Sequence, residues 1–172
     1  NKNLLGNFQK HNDFTLIRER LFADLHIDDD FRFFVEGINA SEHGNTSDDP
    51  PPASNARDNW DYLNLFVDLL APDFYMRLGR FEMAYGKERL IGIGDWANVS
   101  RSWQGGMVSI KSEGMVTDVF YTHPVIIEPR SKDDINASQH FTGIYNTWKL
   151  ADANTVDGYL LALNDDDNVA VA

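Results

Sequence analysis

Apolar and polar residues alternate along this chain with a period of two, and this period constrains the fold more than any other feature of the sequence. In residues 14–27, for example, Leu21 and Leu25 fall on one side of an extended segment. Arg20 and Asp24 fall on the opposite side. Successive side chains of a β-strand point to opposite faces, whereas those of a helix repeat every 3.6 residues. The pattern therefore predicts β-strands.

The same alternation recurs in runs that are separated by glycine, proline, asparagine or aspartate. Residues 60–71 also fit a helical stripe, but Pro72 ends the segment and another alternating run follows at once, so we favour a strand. Short and long connections roughly alternate, which is typical of an antiparallel up-and-down meander. We predict about eight strands, at residues 14–27, 31–40, 60–71, 74–79, 101–111, 116–125, 141–150 and 155–163.

Residues 41–59 interrupt this pattern with a stretch rich in proline, aspartate, asparagine and serine, including three consecutive prolines at 50–52. Such a composition contains too little apolar surface to order itself strongly. We therefore predict a long exposed loop over residues 41–59.

Composition excludes several classes of protein. Hydrophobic residues make up 42% of the 172 residues, enough for strand faces and a core. The formal charge of -12 argues against nucleic acid as a partner, because phosphate contacts need a basic surface. The chain has no cysteine, which excludes disulfides and thiolate zinc sites. It also has no run of about 18 apolar residues for a transmembrane helix, so only a closed barrel could carry it across a membrane.

The familiar motifs of catalysis are missing from the sequence. We find no nucleophile motif, phosphate loop, dinucleotide fingerprint or paired metal-ligand histidines. We therefore predict no catalytic residue, no metal and no cofactor, and a protein that is not an enzyme. The alternating charges instead suggest a ladder across strands, in which Arg18 and Arg20 lie opposite Glu36 of the next strand.

Residues 77–105 read RLGRFEMAYGKERLIGIGDWANVSRSWQG and carry the most specific signal. They resemble the alginate-export family of outer-membrane barrels, in which a strand of the form L-x-x-G-R-Q-E-L leads to Y-G-x-x-R-L-I-G. The motif D-W-x-N and an aromatic residue with glycine follow, and here they are matched by Asp95, Trp96, Asn98, Trp103 and Gly105.

The resemblance implies an all-β fold, an antiparallel up-and-down meander forming part of a barrel of about eighteen strands in the bacterial outer membrane. It implies passive diffusion or export of an anionic polysaccharide or of small solutes, with the outer surface against outer-membrane lipid. The chain is too short for such a barrel. We expect residues 1–172 to be a single barrel domain or the N-terminal portion of a larger barrel, and a closed eight-stranded barrel remains an alternative.

The resemblance also implies roles for charged side chains. Arginines would line the pore and bind anions, since their cationic forks suit carboxylates; these are Arg18, Arg20, Arg77, Arg80, Arg89 and Arg101. Equally, the arginines would form ladders that stiffen a water-filled lumen by pairing with Glu19, Glu36, Asp68 and Glu82. The loop around Asp95, Trp96 and Asn98 would contribute to selectivity.

Two further readings stay open. The chain could be a soluble carbohydrate-binding or lyase-like β-domain in which Trp96, Trp103 and Trp148 stack on sugars. It could instead be a structural subunit of an envelope assembly, as a homo-oligomer or with other partners. Aromatic residues such as Trp60, Tyr62 and Tyr121 would form interfacial girdles in a barrel but a core in a sandwich.

Overall fold

The computed structural model describes residues 14–44, 54–151 and 154–166. These residues form strands and one short 3₁₀ turn, Ser54–Ala56. The strands are β1 Thr15–Ile27, β2 Phe31–His43, β3 Asp58–Ala71, β4 Phe74–Phe81, β5 Trp103–Ser112, β6 Met115–Ile126, β7 Asp134–Ile135, β8 Gln139–Ala151 and β9 Asn154–Asp165. The predicted all-β fold class is confirmed, and residues 60–71 belong to a strand.

All of these strands belong to one antiparallel sheet, in the order β1-β2-β3-β4-β5-β6-β8-β9. The two-residue β7, which the sequence pattern does not predict, pairs with β6 off this path. Over the described residues the sheet is open, because β1 and β9 form its two edges and do not pair with each other. The described residues therefore do not form a closed eight-stranded barrel, and an open meander is compatible with a portion of a larger barrel.

Two boundaries differ from the expected loop at 41–59. β2 continues to His43 and β3 begins at Asp58, so strands occupy both ends of that segment. Residues 45–53 lie outside the described part of the chain. The strands extend because Ala40 of β2 pairs with Asp58 of β3 after a register shift, and Thr15 of β1 pairs with His43.

Short and long connections lie at opposite ends of the sheet. Residues 28–30, 72–73 and 113–114 are tight links between paired strands, and we call their side the short-turn end. Residues 44–57, 82–102 and 127–138 are the longer links at the other side, the long-loop end. This arrangement follows from the up-and-down order of the strands.

The sheet has two chemically different faces. One face is covered by residues 82–102, whose Met83 and Ile91 are buried together with Met107 of β5 and Phe120 of β6. We call this the inner face, and the opposite one the outer face. The outer face carries an unbroken row of apolar side chains, one per long strand, formed by Ile27, Phe31, Leu69, Met76, Val108, Val119, Ile144 and Leu160. We call this row the apolar belt.

The core lies on the inner face and is overlaid by residues 82–102. Its buried aromatic residues include Phe66, Phe81, Trp103 and Phe120. Within the described residues, no helix is long and apolar enough to cross a membrane.

Candidate functional site

The inner face of β1 to β4 carries ion pairs that hold the strands together. Arg20 of β1 forms a two-pronged pair with Glu36 of β2, with Nε to Oε1 at 2.6 Å and Nη2 to Oε2 at 3.0 Å. Its Nη2 also donates to Oε2 of Glu82 at 3.1 Å. Asn64 of β3 donates to the same Glu36 carboxylate at 2.8 Å. Arg20 thus contacts two carboxylates, and each of these carboxylates also accepts a hydrogen bond from Asn64.

A second cluster lies nearer the short-turn end, around Asp68 of β3. Arg77 of β4 binds the Asp68 carboxylate through two nitrogens, at 2.8 and 2.9 Å, and its guanidinium lies 3.8 Å from the ring centroid of Phe66. Arg32 of β2 donates to Asp68 at 3.3 Å and to the exposed Asp24 at 2.8 and 2.9 Å. Asp68 itself is 1% exposed. A buried carboxylate is tolerated because two guanidinium groups compensate its charge.

Residues 82–102, which we call the inward segment, are attached to the sheet by polar contacts. The side-chain amide of Asn98 donates to the carbonyl oxygens of Ile17, Ser41 and Ala56, at 3.2, 3.2 and 2.9 Å. Arg18 of β1 pairs with Asp95 at 2.8 Å. The backbone of the inward segment is thus fixed to β1, β2 and the 3₁₀ turn.

Apolar and aromatic contacts also hold the inward segment against strands β5 and β8. The ring of Tyr85 stacks on Tyr145 of β8 with centroids 4.4 Å apart, and its hydroxyl donates to the sulfur of Met107 at 3.3 Å. A tyrosine hydroxyl is protonated at neutral pH, and burial raises the pKa of the Tyr85 phenol further, so this group can donate. The inward segment therefore occupies part of the space on the inner side of the sheet.

The structure separates the six predicted arginines into three groups. Arg18, Arg20 and Arg77 are paired with carboxylates on the inner face. Arg80 lies on the outer face, opposite to Arg77, and donates to the carbonyl oxygens of Tyr62 and Asp133 at 3.1 Å each.

Arg89 and Arg101 form the third group. Both are exposed, and neither has an ion pair within the described residues. Arg101 lies 5.8 Å from the ring centroid of Trp103. These two guanidinium groups are therefore the ones in the predicted set that face solvent without a protein carboxylate.

The remaining predicted residues occupy varied positions. Glu36, Asp68 and Glu82 are the carboxylates of the two clusters, whereas Glu19 is exposed and accepts a hydrogen bond from Asn39 at 3.0 Å. Trp96 is 88% exposed, in a turn closed by a hydrogen bond from the amide of Ala97 to the carbonyl of Gly94.

Sequence reasoning missed several polar and aromatic residues of the inner face. Arg32 and Asn64 complete the two ion-pair clusters, and Tyr145 pairs in register with Tyr159 of β9. The signal for the tyrosines was present in the alternation, since both fall on the polar side of their strands. It becomes informative only once the register between β8 and β9 is known.

Three carboxylates lie together at the long-loop end. Both carboxylate oxygens of Asp58 are buried and have no hydrogen-bond partner in the described part of the chain. The backbone amide of Asp133 donates to the Asp61 carboxylate, and the Asp133 carboxylate accepts from the amide of Glu128 at 2.7 Å. Burial raises the pKa of Asp133, and the neighbouring Asp61 charge adds to this effect.

Comparison with known proteins gives a clear family match. The model of a family described as alginate export matches residues 2–171 of the 172-residue chain. No curated protein matches the chain. The family match covers nearly the whole chain and includes residues 77–105, which carry the most specific part of the resemblance.

Proposed function

The chain belongs to the alginate export family, and from this premise we propose that it forms part of the wall of a passive channel for anionic polysaccharide in the bacterial outer membrane. Family membership supports a role in polysaccharide export across the outer membrane, and the family is one of transporters and not of enzymes. Passive, porin-like conduction and the lining of the lumen are the parts that we propose.

The observation that carries this proposal is the contrast between the two faces of the sheet. The apolar belt crosses all eight long strands on the outer face, and several of its side chains are largely exposed, including Leu160 at 75%. In the same strands, Arg20, Arg32 and Arg77 lie on the inner face with their carboxylates. A barrel wall needs lipid contact on one side and water on the other, and pairing between strands satisfies its backbone within the membrane.

The loop lengths suggest how the wall is oriented. Outer-membrane barrels have short periplasmic turns and longer extracellular loops. By this rule the short-turn end faces the periplasm and the long-loop end faces outward. Aromatic residues lie exposed on the outer face near the long-loop end, including Trp60, Tyr62 and Tyr121, and would form the outer interfacial girdle.

We assign different roles to the arginines of the inner face. Arg20 and Arg77 bind protein carboxylates and would stiffen the wall as a ladder. Arg89 and Arg101 form no ion pair within the described residues and would interact with the anionic solute. Arg80 is not assigned to the lining, because it lies on the outer face. The inward segment would set the width of the lumen, as a segment folded against the wall of a water-filled channel does.

Conductance across a planar lipid bilayer tests this function. We expect the full-length protein to open ion-conducting pores, and we expect an alginate oligosaccharide added to one side to interrupt the current. A neutral oligosaccharide of the same length should interrupt it less, since it lacks carboxylates for the free cations. A full-length protein that folds in liposomes but never conducts, or one that stays monomeric and folded in plain buffer, would disprove the channel.

A further inference from the structure

Two neighbouring cavities lie on the inner face, between the inward segment and the strands β6, β8 and β9. The first has a volume of about 280 Å³, and Tyr85, Lys87, Arg89, Tyr145, Asp157 and Tyr159 are among its lining residues. The second has a volume of about 300 Å³ and is lined by Arg101, Trp103, Gln139, Phe141 and others. Leu90 of the inward segment lines both cavities, so they are adjacent compartments of one groove.

The first cavity combines an aromatic surface with free cations. The rings of Tyr85, Tyr145 and Tyr159 form a stack, with successive centroids 4.4 and 5.5 Å apart. Tyr159, at the end of this stack, is 52% exposed and offers an open ring face. Lys87 and Arg89 are both exposed and have no ion pair within the described residues.

The carboxylate in this cavity is already engaged. Asp157 accepts a hydrogen bond from the hydroxyl of Thr147 at 3.0 Å, and its side chain also interacts with the Tyr145 hydroxyl. Gly86 has a positive φ of 57°, and a Cβ at this position would lie 3.0 Å from the Asp157 carboxylate and from the Tyr145 hydroxyl. Glycine therefore allows the inward segment to pass close to these two groups. Neither Lys87 nor Arg89 forms an ion pair with Asp157, so both cations can bind an external anion.

The second cavity repeats the same combination of groups. Arg101 is exposed and lies over the Trp103 ring, and Phe141 packs near Trp103 with centroids 6.4 Å apart. Gln139 donates its amide to Asp165 at 3.0 Å, which leaves its side-chain oxygen as an acceptor. Each cavity therefore offers a cation, aromatic surface and polar hydrogen-bonding groups.

We propose that this groove is a two-subsite track for a linear chain of carboxylated sugars, with Lys87 and Arg89 holding a carboxylate in the first cavity and Arg101 holding another in the second. The track rests on the proposed channel function and specifies where in the lumen the polysaccharide binds. Phe141 and Tyr145, one in each cavity, are four residues apart on β8, which corresponds to roughly 13 Å. A single sugar ring cannot occupy both subsites, and a linear polymer can.

The ion-pair clusters of β1 to β4 do not compete for this role. Arg20, Arg32 and Arg77 are occupied by Glu36, Asp24 and Asp68. A sugar carboxylate would have to displace a protein carboxylate from each of them. Lys87, Arg89 and Arg101 of the groove form no ion pair within the described residues, and aromatic rings beside them can stack on the apolar face of a sugar.

Binding of defined oligosaccharides to the full-length protein in detergent, measured by isothermal titration calorimetry, tests the track independently of conduction. The probes are an alginate octasaccharide and a neutral cello-oligosaccharide of the same length. We expect the double variant K87Q/R89Q to weaken alginate binding about tenfold and R101Q about threefold, with little effect on the neutral probe. Y159L removes the aromatic platform but no charge, and should weaken both probes about threefold.

Matched controls are Lys111→Gln and Lys149→Gln, which remove exposed cations from the same face of β5 and β8 at the short-turn end. They should leave binding of both probes unchanged, and circular dichroism verifies that each variant is folded. If K87Q/R89Q and K111Q/K149Q weaken alginate binding equally, the track is wrong and only general electrostatic attraction remains. Wild-type conductance is recorded in parallel: a conducting protein with no groove effect overturns the track alone, whereas binding in the groove without any conductance overturns the channel alone.

Discussion

Single side chains determine how the inward segment is held against the sheet. Asn98 is the clearest case, because its amide group has two N–H donors and lies within hydrogen-bonding distance of three backbone carbonyls from β1, β2 and the 3₁₀ turn. In the D-W-x-N motif, Asn98 thus acts as a structural attachment. Trp96 of the same motif is exposed and has no such role.

Replacing Asn98 with alanine is expected to lower the free energy of unfolding by about 1–3 kcal/mol, because the hydrogen bonds of a buried amide group to three backbone carbonyls would be lost. Urea unfolding in detergent, followed by circular dichroism, measures the change. Asn39→Ala is the matched control, since Asn39 makes an exposed hydrogen bond to Glu19 and should matter much less. Equal effects of the two substitutions would contradict the attachment role of Asn98.

The same measurement distinguishes buried from exposed partners of a single arginine. Arg32 binds both Asp68, which is 1% exposed, and Asp24, which lies at the surface. Asp68→Ala leaves Arg32 and the partly buried Arg77 without their shared carboxylate and should cost about 3–5 kcal/mol. Asp24→Ala should have a clearly smaller effect, because solvent screens the exposed pair. If Asp24→Ala lowered the free energy of unfolding more than Asp68→Ala, Asp68 would not be the main partner of these arginines.

At the scale of strands and loops, local pattern predicted much of what forms. The two-residue period identified all eight long strands, because each has one apolar face. It missed β7, which has only two residues and no period of its own. It also misplaced the ends of β2 and β3, whose last pairs depend on register shifts near Gly37 and Ala40.

The packing of the inward segment could not be predicted from the local sequence pattern. The sequence pattern predicts no strand between residues 79 and 101, and nothing in the spacing of these residues indicates that Met83 and Ile91 pack beside Phe120, which is distant in sequence. The same holds for the candidate groove, since the stack of Tyr85 on Tyr145 depends on a long-range contact. The register of the strands and the packing of the inward segment must both be known before these residues can be assigned to one site.

The long loop at residues 127–138 should respond to pH through Asp133. Burial raises the pKa of its carboxyl above the ordinary 3.8, so the fold favours the protonated form. Its contribution to stability is therefore fully present below the ordinary pKa and is lost as pH rises through the raised value. The Asp58, Asp61 and Glu128 carboxylates and the Arg80 guanidinium interact with the same group, and all four residues are retained in a variant at position 133.

We accordingly expect Asp133→Asn to be more stable than the wild type at pH 7, with a difference that shrinks as the pH falls towards 4. The asparagine oxygen can still accept the hydrogen bond from the Glu128 amide, so that contact is preserved. Thermal unfolding of both proteins across this pH range measures the difference. A variant that is less stable than the wild type at pH 7, or a difference in stability that does not depend on pH, would contradict a raised pKa of Asp133.

For the molecule as a whole, the decisive property is the separation of lipid-facing and water-facing residues. The sequence pattern indicated two faces for each strand, but only the register aligns the apolar faces of all eight long strands into one belt. The open edges at β1 and β9 could not be predicted from periodicity, because closure depends on strand number and shear and not on any single strand.

Single-cysteine labelling of the full-length protein in liposomes tests this separation most directly, and these 172 residues contain no native cysteine. Cysteines are placed at adjacent positions of opposite faces, Leu25 and His26 in β1 and Leu160 and Tyr159 in β9. At positions 25 and 160, an attached fluorophore should be quenched by nitroxide-labelled lipid. At positions 26 and 159, the thiol should react with a water-soluble maleimide and escape lipid quenching. If the two members of each pair behave alike, the sheet does not form a membrane wall.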